Sequence, residues 1–437
     1  MATNTRKSDL PLMLSPRFLQ QLRDAGGAAV ANLLVRATRS QEDAEKARLT
    51  HAAYERSWER LHCGSWKDVS SVWRQAFGIA SVMQAHCLFR RQQFAECLEM
   101  LDMVRLGEYI YTLSPNSFLL GMEMPEIFKC LMMAGPLAPR ETHTFLEDVE
   151  RELLNLRSKP RLSDELLLHL GDEEVEEMNL SFPVQRLEMP TLEYFREHLM
   201  MQNKPAVLKG AMEFWPALGR AAGPDHAWKN LKNLRRVAGM RTIPVEVGSS
   251  YLGDDWKQEL MTFNEFLDRH IILPLKNTAE KCVTGTKRGY LAQHRLFDQI
   301  PALGRDILTP DYCTLPRVRD IEEEEDITVN CWFGPRGTVS PLHFDPKDNV
   351  LCQVVGAKYV RLYAPEESGK LYPIEGMLSN TSQVQVENPD NEAFPNFVHA
   401  KYIECILREG DMLYIPPKYW HYVRSLSTSF SVSFWWS

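Results

Sequence analysis

His343 and Asp345 stand one residue apart in the stretch SPLHFDPKDN, and His421 follows in GDMLYIPPKYWHYVRSL. Two imidazoles and one carboxylate on one side of an ion form the facial triad of non-haem Fe(II) oxygenases. Neutral imidazoles and a single carboxylate hold Fe(II) while leaving the opposite positions open for a co-substrate and O2. The pair alone is a weak signal. Random placement of the 12 histidines and 58 acidic residues of this 437-residue chain gives roughly 1.6 His-x-acid triplets, and the sequence contains one.

The elements that must position these residues carry more weight. In an extended chain residues i and i+2 project to the same side, so His343 and Asp345 reach a common ion if they sit at a strand end. Gly410-Asp411 mark a turn, MLYIP reads as a strand and Pro416-Pro417 mark a second turn, so His421 opens or precedes a further strand. On an antiparallel double-sheet fold such distant strands meet at the mouth of a barrel.

A bidentate 2-oxo acid on the ion would need a cation for its far carboxylate. Lys358 lies in VVGAKYVRLY among Val354, Val355, Tyr359 and Leu362, and an inward lysine there requires an anionic partner. By its own spacing Lys358 reads sooner as an outward-facing strand residue. Glu246 in PVEVG is followed by Tyr251 and Trp256, and a carboxylate with aromatic walls suits a guanidinium through charge-assisted bonding and stacking. The same acid also reads as an exposed strand end. Trp435 and Trp436 either close a pocket or fill a core.

The hydrophobic period changes along the chain. Up to about residue 170 the text is helical. Ser40 and Asp43 have the spacing of a capping box, so a helix is expected to open there, and Leu49, Ala53, Tyr54, Trp58 and Leu61 then recur near a period of 3.6. Trp58, Leu61 and Gly64 fit the start of a tetratricopeptide-like pattern, but no strict repeat follows. The acidic stretch HLGDEEVEEMNLSFP reads as a break or linker. Beyond it KPAVLKG, RTIPVEVG, ITVNCWFG, VLCQVVGAKYVRLYAP, GDMLYIP and FSVSFWWS are short β-branched and aromatic runs bounded by Gly and Pro. With helical text at TLEYFREHLM and MTFNEFLDRHI, this predicts an α+β chain whose second half is a sandwich or barrel decorated by helices.

Composition bounds the function. A net charge of −8 argues against a general nucleic-acid binder but suits a basic protein or peptide substrate. No run of about 18 apolar residues predicts a membrane span, and MATNTRKSDLPLMLSPRF lacks the apolar core of a signal peptide. Nine scattered cysteines without a C-x-x-C pair disfavour a disulfide framework or a structural zinc module and point to a reducing compartment, cytosol or nucleus.

The ordered text WFG, TVSPLHFDP, Asn349, GAK, LY, GDMLYIP and WH resembles the JmjC (Jumonji C) family of Fe(II)- and 2-oxoglutarate-dependent oxygenases over roughly residues 181–437. The resemblance implies a double-stranded β-helix, the jelly-roll or cupin-like fold, over 183–437. An acidic linker is expected at 171–182 and an all-helical domain at 1–170. It places the iron ligands on His343, Asp345 and His421. The 2-oxoglutarate contacts fall on Tyr290, Ser340, Asn349 and Lys358, with Trp332 lining the pocket, and a substrate pocket on Glu246, Trp256 and Gln293. The implied reaction couples decarboxylation of 2-oxoglutarate, with O2, to hydroxylation of a substrate C–H bond. The expected substrate is an arginine side chain of a protein, whether a histone or another chromatin or ribosomal protein. N-methyl-lysine demethylation of histones is the alternative. The helical half is a candidate partner-binding surface, and the expected location is nucleus or cytoplasm.

Overall fold

The structure is a computed structural model that describes residues 14–61, 70–93, 96–97, 100–101, 170–171, 173–175, 178–248, 256–276, 288–317 and 327–437. The chain divides into two compact units, one of residues 1–161 with 240–242 and one of 162–239 with 243–437.

The first unit contains α1 (Pro16–Asp24), α2 (Ala28–Arg39), α3 (Asp43–Leu61) and α4 (Ser71–Arg90). Helix α4 is the central element, burying Trp73, Phe77, Ile79, Val82 and Met83 against Phe18, Leu22, Leu34 and Leu49. Tyr54 and Trp58 of α3, both half-buried, lie tilted against Phe77 at 5.1 and 5.6 Å and pack on the edge of this core. The expected capping box is not formed. Ser40 closes α2, and its hydroxyl accepts the Glu42 N–H at 3.3 Å and donates to the Glu45 carboxylate at 3.0 Å. The two helices follow so closely that one residue cannot both end α2 and cap α3. Residues 102–169 lie outside the described residues.

The second unit is a double sheet with cupin-like architecture, antiparallel except for the parallel pair of its first two strands. Its strands are β1 (Arg186–Glu188), β2 (Ala206–Lys209), β3 (Thr242–Gly248), β4 (Lys257–Thr262), β5 (Arg288–His294), β6 (Thr328–Gly334) and β7 (Val339–His343). They continue with β8 (Asp348–Val355), β9 (Lys358–Tyr363), β10 (Tyr402–Leu407), β11 (Met412–Ile415), β12 (Trp420–Ser425) and β13 (Ser429–Trp436). The larger sheet runs β1-β2-β11-β8-β13-β6-β5-β3-β4 and the smaller β10-β9-β12-β7.

Period-two alternation explains how the layers assemble. On β13, Phe430, Val432, Phe434 and Trp436 join the core beneath the decorating helices, with Phe195, Trp215, Trp228, Phe263 and Phe266. The facing set, Ser431, Ser433 and Trp435, is left for the space between the sheets. That space is filled by Val207, Leu351, Val360, Leu362, Leu413, Ile415 and Val423. A third cluster, with Tyr359, Tyr363, Phe397 and Trp420, covers the outer face of the smaller sheet. The acidic stretch read as a linker is seated on this unit where it is described. The Glu173 carboxylate accepts the Thr428 N–H at 2.7 Å, and Val175, Met178 and Leu180 pack on the third cluster.

Gly356 makes the β8–β9 turn at φ +72, where any Cβ would stand 2.1 Å from the Thr428 carbonyl oxygen. Only glycine fits that turn, and the turn sets the phase of Lys358 two residues on. At the start of β8 the wholly buried Asp348 accepts from Arg317 Nε and Nη2 at 2.5 and 2.8 Å, and from the Tyr414 hydroxyl at 2.6 Å. Asp348→Ala would strand Arg317 and Tyr414 without their acceptor. We expect it to lower the unfolding free energy by about 3–5 kcal/mol, read from urea unfolding midpoints.

Candidate active site

His343 ends β7 and His421 lies in β12 directly opposite, as antiparallel register partners. A bulge between His421 and Val423 re-aims β12 at this point. The imidazole centroids are 4.2 Å apart, and Asp345 Oδ2 lies 3.5 Å from His421 Nε2. One potential ligand atom from each of the three residues falls within 4.8 Å of the others.

The tautomers are set by the backbone. His343 Nδ1 faces the Pro341 carbonyl at 2.7 Å and His421 Nδ1 faces the Tyr419 carbonyl at 3.0 Å. Each ring donates its Nδ1–H to a carbonyl and presents a bare Nε2, the arrangement that orients metal-bound imidazoles. Burial, with His343 alongside, pulls the His421 pKa down to about 4, which keeps it in the neutral ligating form. Asp345 Oδ2 is buried without a hydrogen-bond partner. A buried carboxylate oxygen is costly unless something cationic completes it, so the donor set fits a divalent ion.

Beside this cluster a cavity is lined by Tyr290, Trp332, Ser340, Asn349, Lys358 and Trp435, together with His343, Asp345 and His421. All six of these further residues were singled out from the sequence. Lys358 is 1% exposed, the inward placement that the family resemblance implies and that spacing alone did not favour. Its ammonium donates to the Tyr290 hydroxyl at 3.3 Å and stands 5.6 Å from that ring's centroid. Burial depresses the Lys358 pKa to about 7. Burial also raises the Tyr290 phenol, against a hydrogen bond to Ser340 that lowers it. Asn349 Oδ1 is buried and unpaired. A lysine, a tyrosine, a serine and an asparagine thus converge on one small space, a donor set suited to a carboxylate.

Four lining residues escaped the sequence reading: Leu351, Ile415, Val423 and Ser433. Ser433 accepts the Trp332 indole N–H at 2.9 Å and so fixes that wall. Its signal was the alternation of β13, which puts it on the same face as Trp435.

The expected substrate residues are less closely gathered. Glu246 stands in β3 opposite Tyr290, outside the cavity lining, and Gln293 and Trp256 are also not part of it. Burial pushes the Glu246 carboxyl up to about 7, against Trp256, which lowers it. Gln293 adopts φ +46 in the irregular part of the β5–β6 pairing. Tyr251 lies outside the described residues. Among the described residues no helix is long and apolar enough to cross a membrane.

Comparison with known proteins matches residues 191–437 to a cupin-like domain and residues 12–109 to KDM8-like N-terminal ARM repeats. The helical unit is therefore of the ARM type, where the sequence reading had weighed a tetratricopeptide pattern. The chain is 42% identical to lysine-specific demethylase 8 of Danio rerio over 387 residues, covering 87% of this chain and 85% of the relative. It is 39% identical to lysine-specific demethylase JMJ30 of Arabidopsis thaliana, covering 97% and 92%. It is 35% identical to Jumonji C domain-containing protein 5 of Drosophila melanogaster, covering 90% and 87%.

Proposed function

The chain belongs to the JmjC Fe(II)- and 2-oxoglutarate-dependent oxygenases of the cupin-like superfamily, and from that membership we propose that it oxidises a cationic side chain of a protein substrate. The observation that carries the oxygenase reading is the His343, Asp345 and His421 cluster opening onto the Lys358 cavity. In this reading the three residues hold Fe(II). Lys358 and Tyr290 take the far carboxylate of 2-oxoglutarate, and Ser340 and Asn349 complete its contacts. The bound ion supplies the O2-dependent oxidation that couples decarboxylation of 2-oxoglutarate to substrate hydroxylation. The chain's own residues bind, orient and exclude water: Trp332 and Trp435 wall the cavity, and Ser433 locks Trp332 in place.

Two reactions fit this machinery. The names of the Danio rerio and Arabidopsis thaliana relatives favour N-methyl-lysine demethylation, in which the hydroxylated methyl leaves as formaldehyde. One feature of the fold favours arginine hydroxylation instead. Glu246 is a half-buried carboxylate paired in register with Tyr290, and a guanidinium would favour its charged form through a bidentate contact. The overall net charge of −8 suits a basic substrate in either case.

Mass spectrometry of methyl-lysine and arginine peptides after turnover separates the two. Demethylation removes a methylene's mass and releases formaldehyde. Hydroxylation leaves one added oxygen on arginine. Glu246→Gln should suppress the arginine product on the order of 10²-fold if that carboxylate holds the guanidinium. If neither peptide raises succinate formation above the peptide-free rate, the proposal of a cationic protein side chain is wrong.

A further inference from the structure

We infer that Asn380, in the excursion between β9 and β10, is a positioning residue that clips the His343-Phe344-Asp345 tripeptide into ligating geometry. This rests on the assignment of the ion to His343, Asp345 and His421.

β7 lies at the edge of the smaller sheet, so its side away from β12 has no strand partner of its own. Asp345 lies beyond the strand end, where ladder bonds no longer fix the backbone. A ligand pair that depends on i, i+2 projection needs an extended backbone through Phe344. The excursion supplies the missing edge. Thr381 pairs antiparallel with His343, and the Ser382 N–H donates to the Leu342 carbonyl at 2.8 Å. Asn380 then engages both backbone groups of Phe344. Its carbonyl oxygen accepts the Phe344 N–H at 2.9 Å, and its side-chain Nδ2 donates to the Phe344 carbonyl at 3.1 Å.

A second contact holds the next residue. The Lys418 N–H donates to the Asp345 carbonyl at 2.7 Å from a left-handed conformation at φ +61. Sparsely populated backbone of this kind persists where its surroundings over-determine it, and it clusters at functional sites. The Phe344 ring packs edge-on against Trp420, the neighbour of His421, at 4.8 Å. The residue between the two ligands is thus held by backbone, amide and ring, and none of the groups holding it is itself a ligand. Partners behind the ligands typically contribute 10–100-fold to metal affinity.

The test uses the full chain and Mn(II) in place of Fe(II), with affinity read from the loss of free-ion EPR signal. Asn380→Asp keeps the shape and the backbone carbonyl but sets a carboxylate oxygen against the Phe344 carbonyl. Asn380→Ser, a smaller change that also removes the donor, serves if the first variant fails to fold. The expected result is a Mn(II) affinity weakened on the order of 10–100-fold, with the melting temperature of the metal-free protein little changed. An affinity within about twofold of wild type would overturn the clip, whatever happens to melting. His343→Ala separates this failure from failure of the site itself. If the wild type binds Mn(II) no better than His343→Ala, the ligand assignment is wrong; if the two differ and Asn380→Asp binds like wild type, only the clip is wrong.

Discussion

His343→Ala is expected to abolish turnover and to weaken divalent-metal binding together. His343 presents an unencumbered Nε2 to the space it shares with His421 and Asp345, and the Pro341 carbonyl holds its ring in that orientation. In the proposed centre alanine would remove one of three ligands and leave Asp345 Oδ2 buried with a weakened cationic partner. A catalytic metal supplies several kcal/mol of stabilisation, so its loss corresponds to a fall in kcat/KM on the order of 10³-fold or more. Succinate formation in the presence of peptide gives the rate, and Mn(II) titration gives the affinity. A variant that retains turnover within about tenfold of wild type would remove His343 from the metal centre.

Lys358→Met should separate co-substrate binding from the chemistry. The lysine is enclosed, 1% exposed, and its ammonium donates to the neutral Tyr290 phenol. Its ammonium form, enclosed in this way, calls for an anionic partner. Removing one member of a buried charge pair costs about 3–5 kcal/mol, which raises the KM for 2-oxoglutarate from about 10²-fold to several thousandfold. kcat at saturating 2-oxoglutarate should change far less, since Lys358 lies outside the metal cluster.

The pH dependence of binding follows from the same lysine. In the free site its pKa is about 7. A bound carboxylate favours the ammonium and raises that value. Below pH 7 the lysine is already charged and affinity is flat. Above it, binding must take up a proton, and affinity falls by about tenfold per pH unit until the pKa of the complex is passed. Calorimetry at pH 8 in two buffers of different ionisation enthalpy should show uptake of roughly one proton per 2-oxoglutarate. Uptake near zero would mean that Lys358 is not the carboxylate's partner.

The legibility of the site tracks how local each relation is. His343 and Asp345 were readable because an i, i+2 spacing projects both to one side wherever the chain stays extended, as it does from the end of β7 through Phe344. Lys358 was ambiguous because both faces of β9 are apolar: Val360 and Leu362 point between the sheets, while Tyr359 and Tyr363 join the outer cluster. No period-two pattern separates inside from outside on such a strand. The described part of the helical half, from Pro16 to Arg90, was readable as helix from its 3.6 period. Its boundary at Ser40 was misjudged because the Ser40 side chain is engaged with Glu42 and Glu45 rather than with a capping box.

The sequence by itself determined the residue types of the site, the α+β order and the strand alternation that points Ser433 and Trp435 inward. Only the tertiary structure decided that His421 stands opposite His343, since the register of β12 on β7 depends on a bulge and on packing across the barrel. Only it decided that Lys358 is enclosed beside Tyr290, and that Asn380 reaches Phe344 36 residues away in the chain. Local pattern encodes which way a side chain leaves its own strand. Which strands meet, and in what register, is set by burial and hydrogen bonding among segments that carry no mark of one another in the text.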